Sequence, residues 1–251
     1  MCPDYFSQID NYSSDPDKYL AVPFVPTEED MVEVMLDLAE ITARDLIYDL
    51  GSGDGRILIA AAKQRNARGI GIDIDPVRVG DAMEFAGWAG VELLVDFLED
   101  DIFTADFSKA TVVTLYLLQS VNVQLRPRLL NELRPGTRII SHAFDMGDWA
   151  PDDCRKIGNI NIYKWIIPAK VEGNWQWEAA EGENWCFELE QKYQEVDARA
   201  WLNRQEVELT YADLCGNRLT MEFAENDISP TRKITLTFEN GQIVSGRAEN
   251  E

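Results

Sequence analysis

The stretch Asp49-Leu50-Gly51-Ser52-Gly53-Asp54-Gly55 decides the fold of this chain. A short apolar run, 46–48, precedes it, and a run rich in helix-forming residues, 56–63, follows it. This order predicts a buried strand, a glycine turn and a helix. Glycines in such a turn let the backbone bend sharply and approach a ligand, and the first turn of the helix offers unpaired N–H groups. The sequence therefore predicts a ligand site at the carboxyl end of this strand.

The glycine spacing and the neighbouring charges indicate which ligand fits. A dinucleotide-binding turn has its third small residue three positions after the second glycine, whereas Gly55 comes two positions after Gly53 and is followed by Arg56. Asp49 and Asp54 flank the turn, and two carboxylates would repel a pyrophosphate. These residues disfavour an NAD-dependent oxidoreductase and suit a ligand with an ammonium group, such as S-adenosylmethionine. An ordinary turn without a ligand remains the alternative.

Acidic residues also end the next two predicted strands. Asp73 lies about 20 residues beyond the turn, where βαβ units of this kind hold a ribose diol. The stretch 94–102 predicts a third strand that ends in acids. Strands alternate with helices, which favours a parallel sheet covered on both faces. The predicted elements are a strand, turn and helix over 46–65, strands at 69–74, 93–98, 111–117 and 137–142, helices at 76–89 and 121–133, and an antiparallel pair at 154–158 and 161–167.

Several stretches together resemble a known family. They are 23–27 (PFVPT), 49–57 (DLGSGDGRI), 111–118 (TVVTLYLL), 133–144 (LRPGTRIISHAF) and 147–149 (GDW). With these motifs the chain resembles the class I, seven-stranded S-adenosylmethionine-dependent methyltransferases, and more closely the bacterial relatives of protein-lysine methyltransferases that modify the mitochondrial ATP synthase c subunit and the adenine nucleotide translocase. The similarity covers about residues 20–170 and implies a doubly wound, mostly parallel α/β sheet.

This resemblance assigns residues to the cofactor S-adenosylmethionine. Asp49, Gly51 and Gly53 are expected to line its methionine end, because the Asp49 carboxylate can hold the ammonium group directly or through water. Asp73 is expected to accept hydrogen bonds from both ribose hydroxyls. Ile74 is expected to pack on the adenine face.

The adenine edge and the start of the domain supply the remaining predicted contacts. Asp101 and the backbone N–H of Ile102 are expected to meet the adenine edge, with Asp100 as an equally placed alternative to Asp101. Thr27 is predicted as the N-cap of a helix that begins with the acids 28–30, and the resemblance makes it a further cofactor contact.

Two residues are candidates for the methyl-acceptor side. Tyr116, near the end of the predicted strand 111–117, would shape a narrow channel or bond an amine, unless it only packs under the sheet. His142, the single histidine, would act as a general base, unless it is structural. Phe144 and Trp149 would wall an apolar channel or belong to the core.

The charge and cysteine content exclude some classes of protein. The net charge is −22, with 16 Lys and Arg against 28 Asp and Glu up to residue 171, and 7 against 17 beyond it. Such an acidic surface disfavours binding to nucleic acid and to anionic membranes, and it favours a basic partner. The alternative is that the acidity only keeps the protein soluble. Four scattered cysteines and one histidine predict neither a disulfide scaffold nor a metal site. No signal peptide or membrane span is predicted, so we expect a cytoplasmic protein with reduced thiols.

The pattern of the chain changes near residue 172. Short stretches of alternating residues with turn signals between them, notably Gly216-Asn217 and Asn240-Gly241, replace the helical periods. About six short strands of this kind predict a small antiparallel barrel or sandwich. We therefore expect a methyltransferase domain over 1–171, with an N-terminal arm at 1–20, and a smaller β-rich domain over 172–251. The alternating stretches are 175–177, 187–189, 207–209, 219–223 and 234–238.

Three functions remain open at this point. The resemblance favours an S-adenosylmethionine-dependent methyltransferase that acts on a protein lysine. The first alternative is a methyltransferase for a small molecule, and the second is a protein that binds the cofactor without catalysis. The acceptor, the number of methyl groups added and the oligomeric state do not follow from the sequence.

Overall fold

The computed structural model describes residues 25–179, 182–224 and 232–250. The predicted arm at 1–20 lies outside these residues. The helices are α1 (Glu29–Leu38), α2 (Arg56–Arg65), α3 (Pro76–Ala89) and α4 (Gln119–Glu132). The strands are β1 (Leu46–Leu50), β2 (Arg68–Asp73), β3 (Val95–Glu99), β4 (Val112–Leu115), β5 (Arg138–His142), β6 (Asp153–Ile157), β7 (Ile160–Ile166), β8 (Gly173–Glu178), β9 (Asn184–Lys192), β10 (Glu195–Leu202), β11 (Gln205–Cys215), β12 (Arg218–Ala224), β13 (Arg232–Glu239) and β14 (Gln242–Asn250).

The first sheet has seven strands in the order β3-β2-β1-β4-β5-β7-β6. β1 pairs in parallel with both β2 and β4, and β2 pairs in parallel with β3. β6 and β7 form the predicted antiparallel pair at the other edge. The strand order reverses between β2-β1 and β4, and open α/β sheets bind their ligands outside the carboxyl ends of the strands at such a switch point. The predicted α/β fold is thus confirmed.

Local sequence explains how the helices around this sheet begin. Gly55 is the N-cap of α2 with a φ of 76°, a left-handed conformation that favours glycine. The Asp75 side chain accepts a hydrogen bond from the Val77 N–H at the start of α3, and Pro76 occupies the first helical position. The predicted N-cap Thr27 is wrong, because Glu28 occupies that position and makes no side-chain capping bond.

The second sheet has seven antiparallel strands in sequence order from β8 to β14, one more than the six or so expected. Its core contains the aromatic rings of Trp185, Phe187 and Phe223. A Cβ at Gly246 of β14 would lie 2.4 Å from the Trp177 ring on β8, so the first and last strands approach each other and the sheet forms a near-barrel. Asn240 and Gly241 have φ of 50° and 71°, as expected for the predicted hairpin turn.

The chain divides into two compact units, one formed by residues up to 127 with 139–165, the other by 128–138 with 166 onward. The change from one sheet to the other falls between Ile166 and Gly173, while the domain boundary at 171/172 stays a prediction. None of the helices in the described part of the chain is long and apolar enough to cross a membrane.

Candidate functional site

An open cleft of about 210 Å³ lies in the first unit, at the carboxyl ends of β1, β2 and β4. Of the eight residues predicted to bind the cofactor, all but Gly53 line it. Of the two candidates on the acceptor side, Tyr116 lines it and His142 does not. Its lining consists of Val25, Pro26, Thr27, Asp49, Gly51, Ser52, Asp54, Arg56, Ile57, Asp73, Ile74, Asp75, Arg78, Asp101, Ile102, Phe103, Tyr116, Leu117 and Val121.

Asp49 is the deepest acid of the cleft. Its carboxyl is 2% exposed, and the Thr114 hydroxyl donates a 2.7 Å hydrogen bond to its Oδ1. Burial is the main cause that raises the pKa of Asp49 to about 7; the Thr114 bond opposes this rise, and the nearby Asp73 and Asp54 carboxylates contribute to it. A cation bound beside Asp49 would stabilise its ionised form. Asp49 is therefore suited to an ammonium group, as predicted.

The glycine turn after β1 brings the backbone close to the cleft. Gly51, with a φ of 80°, lies so near the Leu117 side chain that a Cβ would stand 2.8 Å from its Cδ2 atom. Gly53 does not line the cleft: its N–H donates a 2.8 Å hydrogen bond to Asp73 Oδ2. The structure thus gives Gly53 an indirect part, which is to hold the Asp73 carboxylate in place.

Asp73 is the last residue of β2 and is held on both carboxylate oxygens. Oδ2 accepts from Gly53, and Oδ1 accepts a 3.0 Å bond from the Asp75 N–H. Burial raises the pKa of Asp73, although these backbone bonds oppose the rise. A carboxylate has more acceptor sites than these two bonds use, so Asp73 retains capacity for ribose hydroxyls.

The predicted adenine end is formed by two loops. Ile74 follows β2, while Asp101, Ile102 and Phe103 follow β3, and all four line the cleft. Asp101 Oδ1 accepts a 2.8 Å bond from the Phe103 N–H, which gives this loop its turn. The alternative residue Asp100 is exposed and does not line the cleft. The geometry therefore favours Asp101 over Asp100.

The ion pair between Arg56 and Asp54, which the sequence analysis did not assign to the site, also lines the cleft. Arg56 pairs with Asp54, with 2.5 Å between Nη2 and Oδ2, and its Nη1 donates a 2.8 Å bond to the Thr27 carbonyl. Thr27, 3% exposed, is thereby held against the cleft as a predicted cofactor contact. The contact joins residues 29 positions apart, so the only sequence signal was that Asp54 and Arg56 belong to the glycine turn.

The acceptor side contains an aromatic cluster. Tyr116 lines the cleft, and burial raises the pKa of its hydroxyl. The His142 ring lies 4.0 Å from the Tyr116 ring, does not line the cleft and is 3% exposed. Neither His142 nitrogen has a hydrogen-bond partner among the described residues. Burial lowers the pKa of His142 to about 4, so the ring is neutral at pH 7.

Phe144 and Trp149 have different positions. Phe144 is half-buried, with its ring 6.4 Å from that of Tyr116 and inclined to it by 28°. Trp149 is fully buried against Trp165, whose indole N–H donates a 3.0 Å bond to the Trp149 carbonyl. Trp149 therefore belongs to the core, whereas Phe144 packs beside Tyr116 without lining the cleft itself.

Comparison with known proteins identifies the family. Residues 49–153 match the profile of the ANTKMT methyltransferase domain. A protein-lysine N-methyltransferase of Saccharolobus islandicus is 42% identical over 151 residues, which cover 58% of this chain and 94% of that protein. The chain belongs to the ANTKMT family of methyltransferases. The predicted family and the predicted S-adenosylmethionine-dependent methyltransferase activity are confirmed.

Other proteins in the comparison differ in how much they share. An adenine nucleotide translocase lysine N-methyltransferase of Mus musculus is 33% identical, over 53% of this chain and 57% of its own length. The chain thus spans little more than half of this relative. A crystal structure described as an RNA methyltransferase from Salinibacter ruber, in complex with S-adenosyl-L-homocysteine, is 53% identical, with a TM-score of 0.58 over 59% of this chain and 96% of that one.

The cofactor of the ANTKMT family fits the cleft of this chain. S-adenosylmethionine is the methyl donor, as predicted. The buried Asp49 carboxyl, ionised beside a cation, would hold an ammonium group, and Asp73 offers acceptors for hydroxyl groups. The Ser52 hydroxyl, which has no partner within the described structure, also belongs to the lining. The roles given to individual residues remain predictions.

Proposed function

We propose that this chain transfers a methyl group to the side-chain amine of lysine in a protein. The observation that carries the proposal is the uncharged part of the cleft lining formed by Tyr116, Leu117 and Val121, in a chain that is 42% identical to a protein-lysine N-methyltransferase. A lysine amine reacts only after it loses its proton, and an apolar aromatic surface favours the neutral amine.

The protein contributes mainly by positioning the reactants. Bound S-adenosylmethionine supplies a methyl group that is already activated by its sulfonium. Asp49 and Asp73 would fix the methionine and ribose portions, and Tyr116 would align the amine for in-line attack. His142 is neutral and packed behind Tyr116, so it would support the orientation of that ring and need not take up a proton.

The charge of the chain supports a basic protein acceptor. A net charge of −22 attracts Lys- and Arg-rich segments and repels polyanions. The description of the Salinibacter relative as an RNA methyltransferase suggests RNA as a second candidate acceptor. RNA binding depends on Lys and Arg contacts to phosphates, and this chain has 23 Lys and Arg against 45 Asp and Glu. We therefore favour protein.

The experiment is transfer of labelled methyl from S-adenosylmethionine into a lysate of the source organism, separated into protein, nucleic acid and small-molecule fractions. We expect label in one or a few protein bands and, after acid hydrolysis, in methylated lysine. The Asp73→Asn variant should lose this label, whereas Asp96→Asn, on the exposed face of β3, should retain it.

Other distributions of label would contradict the proposal. Label in nucleic acid would favour the RNA candidate, and label in the small-molecule fraction would favour a metabolite methyltransferase. Cofactor binding without label in any fraction would favour a protein that binds the cofactor without catalysis. Label in protein but in a residue other than lysine would support a protein methyltransferase and contradict the lysine acceptor.

A further inference from the structure

One face of α4 is polar and contacts the loop that follows β5. Gln119, Asn122 and Arg126 are spaced three and four residues apart, so they share a face of the helix. Each donates hydrogen bonds to the segment 143–148, which we call the β5 loop. Gln119 Nε2 donates to Asp145 Oδ1, and Arg126 Nη1 donates 2.6 Å bonds to the Met146 carbonyl and to Asp148 Oδ1.

Asn122 is the buried centre of this contact. The residue is 0% exposed, and its Nδ2 lies 3.2 Å from the Phe144 carbonyl and 3.3 Å from the Asp145 carbonyl. Nδ2 also lies 3.2 Å from Ser141 Oγ, which itself donates a 2.6 Å bond to the Phe144 carbonyl. Buried carbonyls without a donor are costly, so Asn122 selects one conformation of the loop.

The β5 loop starts with a backbone conformation that needs such support. Ala143 has a φ of 68°, which is uncommon for a residue with a side chain. The Phe144 N–H donates a 2.9 Å bond to the His142 carbonyl across it, forming a tight three-residue turn. The surrounding contacts must stabilise this turn, and it directs the chain so that the Phe144 ring faces Tyr116 at 6.4 Å.

We propose that Gln119 and Asn122 are positioning residues for the acceptor side of the cleft. Tyr116 lies just before α4 in the chain, and Phe144 lies on the loop that α4 holds, so one helix determines the distance between the two rings. Neither Gln119 nor Asn122 lines the cleft. The inference rests on the proposed function only in taking Tyr116, which lines the cleft and packs beside Phe144, as a residue that receives the acceptor.

The first test compares Gln119→Glu with Gln124→Glu. Both side chains are exposed on α4, and both changes add one negative charge, but only Gln119 contacts the loop. An acid at the first position of a helix favours the helix, so Gln119→Glu should not unfold it. The new charge meets Asp145 and replaces the hydrogen bond with repulsion. Gln124→Glu is therefore the matched control.

We expect Gln119→Glu to lower kcat/KM for the acceptor by about fivefold or more and to leave the affinity for S-adenosylhomocysteine within about twofold. Amide hydrogen exchange should become faster in 143–148, and Gln124→Glu should change neither property. The acceptor is whichever lysate fraction the wild-type chain labels. Failure of the lysine proposal therefore leaves this test intact, and loop exchange together with S-adenosylhomocysteine binding can be measured without any acceptor.

A second variant tests the bond itself. The Asp145→Asn background lacks the repelling charge, so Gln119→Glu should cost less kcat/KM and less protection of the loop there than in wild type. Asp145→Asn alone is the reference, because Asp145 Oδ1 also accepts a 2.9 Å bond from the Gly147 N–H. Asn122→Ala should lower kcat/KM further than Gln119→Glu does; if it does not fold, the Gln119 variants decide. Unchanged exchange in Gln119→Glu, an equal loss of acceptor turnover and S-adenosylhomocysteine affinity, or an equal cost of Gln119→Glu in wild type and in Asp145→Asn would overturn the proposal.

Discussion

At the scale of single residues, Asp73 has the clearest predicted role, because two backbone N–H groups orient its carboxylate. Asp73→Asn replaces one carboxylate oxygen by an NH2 group, which accepts no hydrogen bond. The variant side chain therefore cannot accept from both the Gly53 and the Asp75 N–H. The variant also loses the charge that would bind ribose hydroxyls. We expect the affinity for S-adenosylhomocysteine to fall by about 10- to 100-fold, measured by titration calorimetry. An unchanged affinity would remove Asp73 from the cofactor site, and Asp96→Asn serves as the control.

The raised pKa of Asp49 predicts how the stability of the ligand-free chain depends on pH. Its folded-state pKa is about 7 against an ordinary 3.8, so between these values the folded chain holds a proton that the unfolded chain releases. The contribution of Asp49 to stability therefore falls as pH rises from about 4 to about 7. Asp49→Asn mimics the protonated carboxyl and keeps an oxygen for the Thr114 hydroxyl. From pH 5 to pH 8 the unfolding free energy of Asp49→Asn should rise by about 2–3 kcal/mol relative to that of wild type.

Denaturant unfolding of both proteins at the two pH values measures this difference. An equal difference in unfolding free energy between wild type and Asp49→Asn at both pH values would show that Asp49 does not titrate in this range. The cofactor ammonium requires the ionised carboxylate, so wild-type affinity for S-adenosylmethionine should also rise between pH 6 and pH 7. Asp49→Asn should bind weakly at both.

At the scale of elements, Gly71 explains how β2 fits beside its neighbours. A Cβ at Gly71 would lie 2.4 Å from the Phe97 ring of β3 and 2.7 Å from Ser52 Oγ in the turn after β1. We expect Gly71→Ala to destabilise the chain by about 1–3 kcal/mol, because a buried methyl group must displace Phe97. It should also weaken cofactor binding, since the displaced turn lines the cleft.

Gly80→Ala is the matched control, because the same substitution there should stabilise the chain. Gly80 is exposed on α3, and a Cβ there would meet nothing within 4 Å. Alanine in a helix interior is favoured over glycine by about 0.5–1 kcal/mol, so this variant should raise the melting temperature. Thermal unfolding measures both variants, and a Gly71→Ala protein as stable as wild type would show that Phe97 can move at little cost.

The elements themselves were predictable where the pattern was strong. α3 begins and ends as expected, because Asp75 and Pro76 define its start and Gly90, with a φ of 70°, follows its end. The sequence pattern was weaker in the second sheet, where no alternation marked β10. Two of the inward residues of β10, Ala198 and Ala200, are alanines, which give little hydrophobic contrast with the exposed positions.

At the scale of the whole molecule, the acidic charge predicts how turnover depends on salt. Raising the ionic strength from about 0.1 M to about 1 M shortens the screening length from about 10 Å to about 3 Å. If a chain with a net charge of −22 attracts a basic protein, KM for that acceptor should rise several-fold over this range. KM for S-adenosylmethionine should change less, because buried charges are screened less. If KM for the acceptor does not change with salt, the negative charge does not attract the acceptor, and solubility is its remaining role.

The sequence alone was sufficient to predict the strand-turn-helix around Asp49, the alternation that produces a parallel sheet, the family and the cofactor. The turn and the cofactor follow from local chemistry, because glycine allows the turn and an acid at a strand end faces the ligand, whereas the family follows from the resemblance of several stretches. The tertiary structure decided what joins distant parts of the chain. Arg56 reaches the Thr27 carbonyl, and Asn122 reaches the β5 loop. It also separated Phe144, near the cleft, from Trp149, in the core, because burial depends on what packs around a ring and not on its own residue type.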